Sequence, residues 1–369
     1  MRDITAPEIF DGTTLYTDHA LRLDGETLQA IVPRADAPNA EPLDGTILPG
    51  FVDLQVNGGG GVLFNDDTSV EALVQIAEAH ASTGTTALLP TLITDTPERS
   101  IRAVDAVAEA IERGLPGIIG LHLEGPHLSL ARKGAHDPSL IRDMTDADEA
   151  LLCEAARRLP NLMVTIAPEA VPLGRARRLA RAGVILSLGH TDCDYDTARA
   201  YFAAGVRCAT HLFNAMSPMG NRAPGMVGAV LDDPAVSAGL IADGFHVHPA
   251  AMRLALCAPK TDGSLFLVTD AMATVGSQIT EFTLNGRRVL RREGRLTLED
   301  GTLAGADLTM PQALGILAGL PLPRARALAM ATSLPARLLG RPANHGHLRP
   351  GAAFHAIRLD ATGRFAGRL

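Results

Sequence analysis

The chain has 369 residues, 46% of them hydrophobic, and a formal net charge of −8. That is enough apolar material for one large catalytic domain with a small accessory one, and it does not fit a disordered chain. The negative balance argues against a nucleic-acid groove or an anionic membrane surface as partner. Only two of the 33 basic residues, Lys133 and Lys260, are lysines. Neither follows an apolar strand, so Schiff-base chemistry has little to work with. The four cysteines, Cys153, Cys193, Cys208 and Cys257, are far apart with no CxxC pair, as in a reduced enzyme of the cytoplasm. Met1–Pro7 lacks the apolar run of a signal peptide, and no stretch approaches transmembrane length. A cytoplasmic location is therefore expected, with neither membrane nor nucleic acid as partner.

Residues 1–47 read as short strands and turns, for example Glu8–Gly12 and Ala20–Gly25, without helical periodicity. From residue 48 to 340 the pattern becomes apolar run, polar tip, helix, repeated. The runs are Ile47–Val56, Thr86–Leu92, Ile118–Leu123, Leu162–Ala167, Val184–Leu188, Arg207–Leu212, Ser237–Ala242 and Leu265–Thr269. Helical patterns separate several of them, at Val70–Thr83, Ser100–Arg113, Asp146–Leu159 and Asp196–Ala204. Eight such units predict an α/β fold, a (β/α)8 TIM-like barrel whose active site lies at the strand carboxyl ends. An open doubly wound sheet is the competing layout. Residues 277–304 break the rhythm and read as a β-hairpin insertion around Asn285-Gly286 and Asp300-Gly301. Helices resume at Met310–Ala318 and Pro323–Leu339, and 341–369 is strand-like again. Strand-rich ends on both sides of a barrel predict one small β-sandwich built from both termini.

The polar tips carry the chemistry. Glu124, His190 and His211 end the third, fifth and sixth runs. One carboxylate and two imidazoles leave a fourth tetrahedral position open, the composition of a catalytic zinc site. Any one of these histidines alone reads better as a loop hydrogen-bond partner; three such residues at three strand ends of one barrel reverse that preference. Asp270 ends the eighth run, where a carboxylate can take a proton from water and return it, or act as a helix cap or ion-pair partner. His127 and His136 follow Glu124 in one loop, and His246 and His248 follow the seventh run. His136 and His246 bind substrate or are simply solvated; His127 and His248 read as solvated. Arg222, in a Gly/Pro-rich loop after His211, suits a carboxylate or phosphate. Gly58–Gly61 resembles a phosphate cradle, but neither GK[ST] nor GxGxxG accompanies it, so tight turning is the better reading.

These residues stand in segments that resemble the N-acetylglucosamine-6-phosphate deacetylases of the amidohydrolase superfamily. The segments are Leu48–Asp53, Leu123–Pro126, Lys133–His136, Gly189–Thr191, Thr210–Met216, Ile241–His246, Val268–Ala271, Leu303–Ala306, Met330–Thr332 and Pro335–Arg337. They run in order over nearly the whole chain. The resemblance implies hydrolysis of the acetamide of N-acetyl-D-glucosamine 6-phosphate, or of a related sugar such as N-acetylgalactosamine 6-phosphate. It implies one divalent metal ion per subunit on Glu124, His190 and His211. Zn2+ suits these donors best, and Fe2+, Co2+ or Mn2+ are compatible. It further implies Asp270 as general base and then acid, and His136 on the sugar and the amide carbonyl. Asn214, the backbone of Ala215 and His246 bind the phosphate. The resemblance also implies a homodimer in which Arg222 reaches the neighbouring active site.

Two departures matter. Many amidohydrolases carry His-x-His at the end of the first strand, a second metal site. Here it reads Gln55-Val56-Asn57, and amides are poor zinc ligands beside imidazole, so one tightly held metal is expected. The usual acidic residue of the closing Gly-x-x-Ala-Asp pattern is missing from Gly351–His355, in the expected sandwich, where no catalytic consequence follows. An inactive scaffold of the same fold is disfavoured because Glu124, His190, His211 and Asp270 are all present.

Overall fold

The computed structural model describes residues 1–258, 264–340 and 345–369. Lys260 and the expected start of the C-terminal segment at 341 lie outside the described residues. The barrel strands are Phe51–Val56, Thr85–Ile93, Leu121–Glu124, Leu162–Ile166, Ile185–Leu188, Cys208–Ala209, Ser237–Leu240 and Leu265–Leu267. They form one eight-stranded sheet in chain order, every neighbouring pair parallel. Helices cross between them, several with side-chain caps. Ser69, Thr96 and Asp194 accept from backbone N–H groups of the first turn, and Thr145 with Asp148 makes a full capping box. Apolar faces of strands and helices bury one continuous core. No helix among the described residues is long and apolar enough to cross a membrane.

The sandwich comes from both termini as expected. One sheet holds Thr27–Pro33, His19–Asp24, Arg2–Thr5 and Glu41–Pro42; the other holds Phe365–Arg368, Ala356–Leu359, Thr46–Pro49, Glu8–Phe10 and Leu15–Tyr16. Ile4, Ile9, Leu21, Leu28, Ile47 and Phe354 fill the space between. The apolar run Ile47–Val56 is thus two strands in two sheets, broken at Gly50. A β-carbon there would meet Thr86 Oγ1 at 2.0 Å, so the chain turns from sandwich to barrel where only glycine fits. The helix expected over 323–339 is likewise two, Arg324–Ala331 and Ser333–Leu338. Thr332 leaves the helical region between them, at φ −131° and ψ −86°, and Pro335 cannot donate the N–H an unbroken helix requires.

The insertion is larger than one hairpin. Four antiparallel strands, Glu281–Leu284, Arg287–Arg292, Arg295–Leu298 and Leu303–Ala306, form a meander. Asn285-Gly286 and Glu293-Gly294 both have positive φ at each residue, the geometry that follows strand twist in a two-residue turn. Leu284, Val289, Leu296 and Leu298 pack on Leu63, Ile93 and Met272 at the barrel mouth.

Two features of the barrel set up the site. First, the eighth and first strands share no ladder among the described residues. The seam is closed instead beyond the strand end: Asp270 N–H donates to Gln55 O at 3.0 Å, and Asn57 N–H to Ala271 O at 2.8 Å. Second, the layer of inward side chains below the mouth is polar. Thr210 Oγ1 lies 2.7 Å from Thr165 Oγ1 and 2.7 Å from Ser187 Oγ; Thr165 Oγ1 lies 2.8 Å from His122 Nε2. All are buried, and burial pushes His122 down to about 4, so its ring is neutral.

Candidate metal centre and active-site cavity

Glu124 is the last residue of the third strand, and His190 and His211 lie just past the fifth and sixth. The barrel brings them together. Glu124 Oε1 is 3.0 Å from Nε2 of His190 and 3.0 Å from Nε2 of His211, and the two Nε2 atoms are 3.0 Å apart. All three side chains are buried. His190 Nδ1–H donates to the carbonyl of Arg132 at 2.8 Å, which leaves the lone pair on Nε2. Lone pairs converging this closely repel unless something positive sits among them. Donors about 2.0–2.2 Å from one tetrahedral ion stand roughly 3.3–3.5 Å apart, so a small opening of the triangle admits a divalent cation. Among the described residues these three are the group of acidic, histidine or cysteine side chains able to hold a metal. The donor set fits.

Electrostatics agree with the geometry. Burial alone raises Glu124, but hydrogen bonds and charge from His190 and His211 hold its carboxyl well below the usual range. Burial lowers His211, and the Glu124 bond and charge more than offset it, so His211 is raised. Asp270 is buried and pushed up to about 6, first by burial and then by the Glu124 charge. A carboxylate there titrates close to neutrality, where a general base is most effective. Its Oδ1 accepts from Asn57 Nδ2 at 2.6 Å and Gln55 Nε2 at 3.1 Å, and Gln55 Nε2 also lies 3.2 Å from Glu124 Oε2. The two amides at the first strand's end therefore donate to the site's two carboxylates. Asn57 Oδ1 is buried without a partner among the described residues.

His190, His211 and Asp270 take φ of 48°, 30° and 51°, and Phe213 and Ala215 take 80° and 49°. Left-handed backbone costs a non-glycine residue about 1–3 kcal/mol, so the surrounding fold holds these side chains in place. The cavity above them has a volume of about 250 Å³. His136, Asn214, Ala215 and His246 line it with the triangle and Asp270, while Ile93, Met272, Leu284 and Leu303 form an apolar wall. His136 is held at Nδ1, 2.7 Å from Thr94 Oγ1, and burial pushes it well below the usual imidazole range. His246 lies in a loop beyond the seventh strand, not at its tip, with Nδ1 2.6 Å from Asp243 Oδ2.

Other sequence candidates fall elsewhere. Arg222 is exposed on the loop after the sixth strand and does not line this cavity. His127 faces the carbonyl of Arg142 at 3.1 Å, and His248 caps the helix Pro249–Leu256. Gly58–Gly59 pairs with Val62–Leu63 in a tight hairpin, as its glycines suggested. Sequence reasoning missed the contact of Thr94 with His136 and the lining residues Leu284, Thr302 and Leu303. The insertion reaches the mouth because Arg287 Nη2 bonds the carbonyl of Ala135 and the Arg295 guanidinium stacks 4.3 Å over Phe245, contacts between segments remote in sequence.

Comparison with known proteins gives a consistent picture. The amidohydrolase family model matches residues 46–362. The N-acetylgalactosamine-6-phosphate deacetylase of Shewanella sp. (strain ANA-3) is 43% identical over 84% of this chain and 78% of its own. The N-acetylglucosamine-6-phosphate deacetylase of Haemophilus influenzae is 36% identical over 90% and 88%. Among solved structures, an Asp-to-Ala variant of the N-acetyl-D-glucosamine-6-phosphate deacetylase of Mycobacterium smegmatis, in complex with N-acetyl-D-glucosamine 6-phosphate, superposes with a TM-score of 0.91. It is 34% identical, covering 100% of this chain and 97% of that one.

Proposed function

Because the chain belongs to the amidohydrolase family, we propose that Glu124, His190, His211 and Asp270 carry out a metal-dependent deacetylation of an amino-sugar phosphate. The enzyme is an N-acetylglucosamine-6-phosphate deacetylase, hydrolysing the acetamide to D-glucosamine 6-phosphate and acetate. The observation that carries the reading is the 3.0 Å triangle of Glu124, His190 and His211 with Asp270 beside it. One carboxylate with two imidazoles suits Zn2+. When bound, such an ion acidifies water and polarises a carbonyl.

The chain's own residues do the rest. Asp270, ionised at pH 7, accepts a proton from the attacking water; with Oδ1 engaged by Asn57 and Gln55, Oδ2 is the oxygen that takes it. As the C–N bond breaks, Asp270 returns the proton to the amide nitrogen, which otherwise leaves as too strong a base. His136 is anchored at Nδ1 by Thr94 Oγ1 and lines the cavity; with a hydrogen on Nε2 it donates to the acetyl carbonyl and steadies its developing charge. Asn214, the Ala215 backbone and His246, oriented by Asp243, hold the sugar phosphate. The apolar wall of Ile93, Leu284 and Leu303 suits the acetyl methyl. Arg222 completes the phosphate site of a partner subunit in a cytoplasmic homodimer.

Acetate release from N-acetylglucosamine 6-phosphate, with and without a chelator, tests the assignment: turnover abolished by chelation and restored by Zn2+ is expected. The similarity to an N-acetylgalactosamine-6-phosphate deacetylase supports a second reading, since the metal site meets only the amide. The same assay on both sugar phosphates separates the two.

A further inference from the structure

We propose that Asp53, on the first barrel strand, is a positioning residue for the general base, acting through Thr269 to fix the backbone on which Asp270 stands. The proposal rests on Asp270 carrying the proton, as argued above. Asp53 and Gln55 alternate along the first strand and so face inward; Asn57 follows directly after its end. Gln55 and Asn57 reach the Asp270 carboxylate. Asp53 sits one layer lower and reaches the residue before Asp270: Oδ1 accepts from Thr269 N–H at 3.2 Å and from Gln55 N–H at 3.3 Å, and Oδ2 accepts from the Thr269 hydroxyl. Thr269 Oγ1 in turn lies 3.3 Å from Ala271 N. Both neighbours of Asp270 are thereby tied to one carboxyl group, at the seam where no ladder joins the eighth strand to the first.

The placement is costly, which is the reason to look for its use. Asp53 is fully buried, with no cationic partner among its hydrogen bonds. Burial pushes its carboxyl up to about 7. A backbone carbonyl or an apolar contact closes a barrel more cheaply than a buried carboxyl. What the carboxyl supplies is several acceptor sites at one point, enough to grip the N–H and the hydroxyl of Thr269 together. Asp270 needs that grip, because its φ of 51° is one the backbone does not hold unaided. Proton transfer tolerates little displacement of the base, and a misplacement of about 1 Å costs on the order of 100-fold.

The test compares Thr269→Val, Thr269→Ser, Asp53→Asn and Asp270→Asn in the full-length Zn2+-loaded enzyme. Readouts are kcat, KM and bound metal per subunit. Thr269→Val removes the hydroxyl at constant shape. It is expected to lower kcat about 10- to 100-fold with KM within about twofold and metal unchanged, because metal and sugar phosphate are held by other strands. Thr269→Ser restores the hydroxyl and is expected to recover most of kcat. Asp53→Asn is expected to match Thr269→Val, and the double variant to fall little further. A Thr269→Val enzyme with unchanged kcat, a loss that tracks lost metal, or a serine variant that rescues nothing overturns the proposal. The Thr269 pair decides it even if Asp53→Asn does not fold. If Asp270→Asn keeps its turnover, the base assignment itself is wrong and this inference falls with it; an inactive Asp270→Asn beside an unaffected Thr269→Val sinks the inference alone.

Discussion

At the scale of residues, the site separates two carboxylates by environment. Glu124 is held ionised by two imidazoles, whereas Asp270 is lifted toward neutrality by burial and by Glu124 itself. On the proposed mechanism the first is a ligand and the second a proton carrier. Their removal should therefore look different. Glu124→Ala is expected to lose bound metal and activity together. Asp270→Asn is expected to keep about one metal ion per subunit while kcat drops on the order of 10²- to 10⁴-fold. Metal analysis beside steady-state acetate release distinguishes them, and a Glu124→Ala protein that retains stoichiometric metal contradicts the ligand set. Gln55 and Asn57 show what sequence leaves unread. Their amide type was visible and argued against a second metal, but that they hold Asp270 and Glu124 depends on which side chains the closed barrel sets opposite them.

At the scale of elements, the helix Val70–Ala81 is fastened to the glycine-rich turn above the first strand by His80. Its Nε2–H donates to the Gly58 carbonyl at 2.9 Å. The ring is buried, and burial pushes it down to about 4 from 6.5, so the folded protein keeps it neutral. The unfolded chain then binds more protons than the folded one between those two values, and stability falls as pH falls through that window. From pH 7 to pH 5 the contribution lost is about 2 kcal/mol. His80→Gln, which keeps an N–H donor without a titrating ring, should show a flatter urea midpoint between pH 7 and 5 than the parent protein. Equal slopes would remove His80 as the cause. The elements themselves were largely legible, because continuous apolar runs mark strands buried on both faces and period-3.6 patterns mark the helices that cover them. The failures have local causes. One apolar run became two strands because Gly50 is squeezed against Thr86, and one helix became two because Pro335 follows Thr332. Glu293-Gly294 turned a hairpin into a meander since a glutamate at positive φ is not a sequence signal.

At the scale of the molecule, both ends of the chain enter one sandwich, and the candidate site lies in the barrel mouth. A subunit so arranged offers the cavity nothing from Arg222, which is exposed on its own loop. If that arginine serves a neighbour, two defective subunits should repair each other. In the proposed homodimer, co-expressed Asp270→Asn and Arg222→Ala chains would give a mixed dimer in which the Arg222→Ala subunit keeps its own Asp270 and borrows an intact arginine. Its turnover should approach that of one normal site per dimer and exceed that of either variant alone. Activity no higher than the Arg222→Ala homodimer would place the arginine in its own subunit's service, or in none.

The barrel's open joint has a consequence for how the enzyme dies. Asp270 stands where the wall has hydrogen bonds beyond the strand ends but no ladder between the strands, so the joint is the part of the wall with least cooperative support. Thermal breathing there is expected to displace Asp270 before the remaining ladders let go. Residual turnover after brief heating should fall at a lower temperature than far-ultraviolet circular dichroism does, and samples cooled from that interval should regain activity. A single coincident transition by both probes would mean that the joint is as strong as the rest of the barrel.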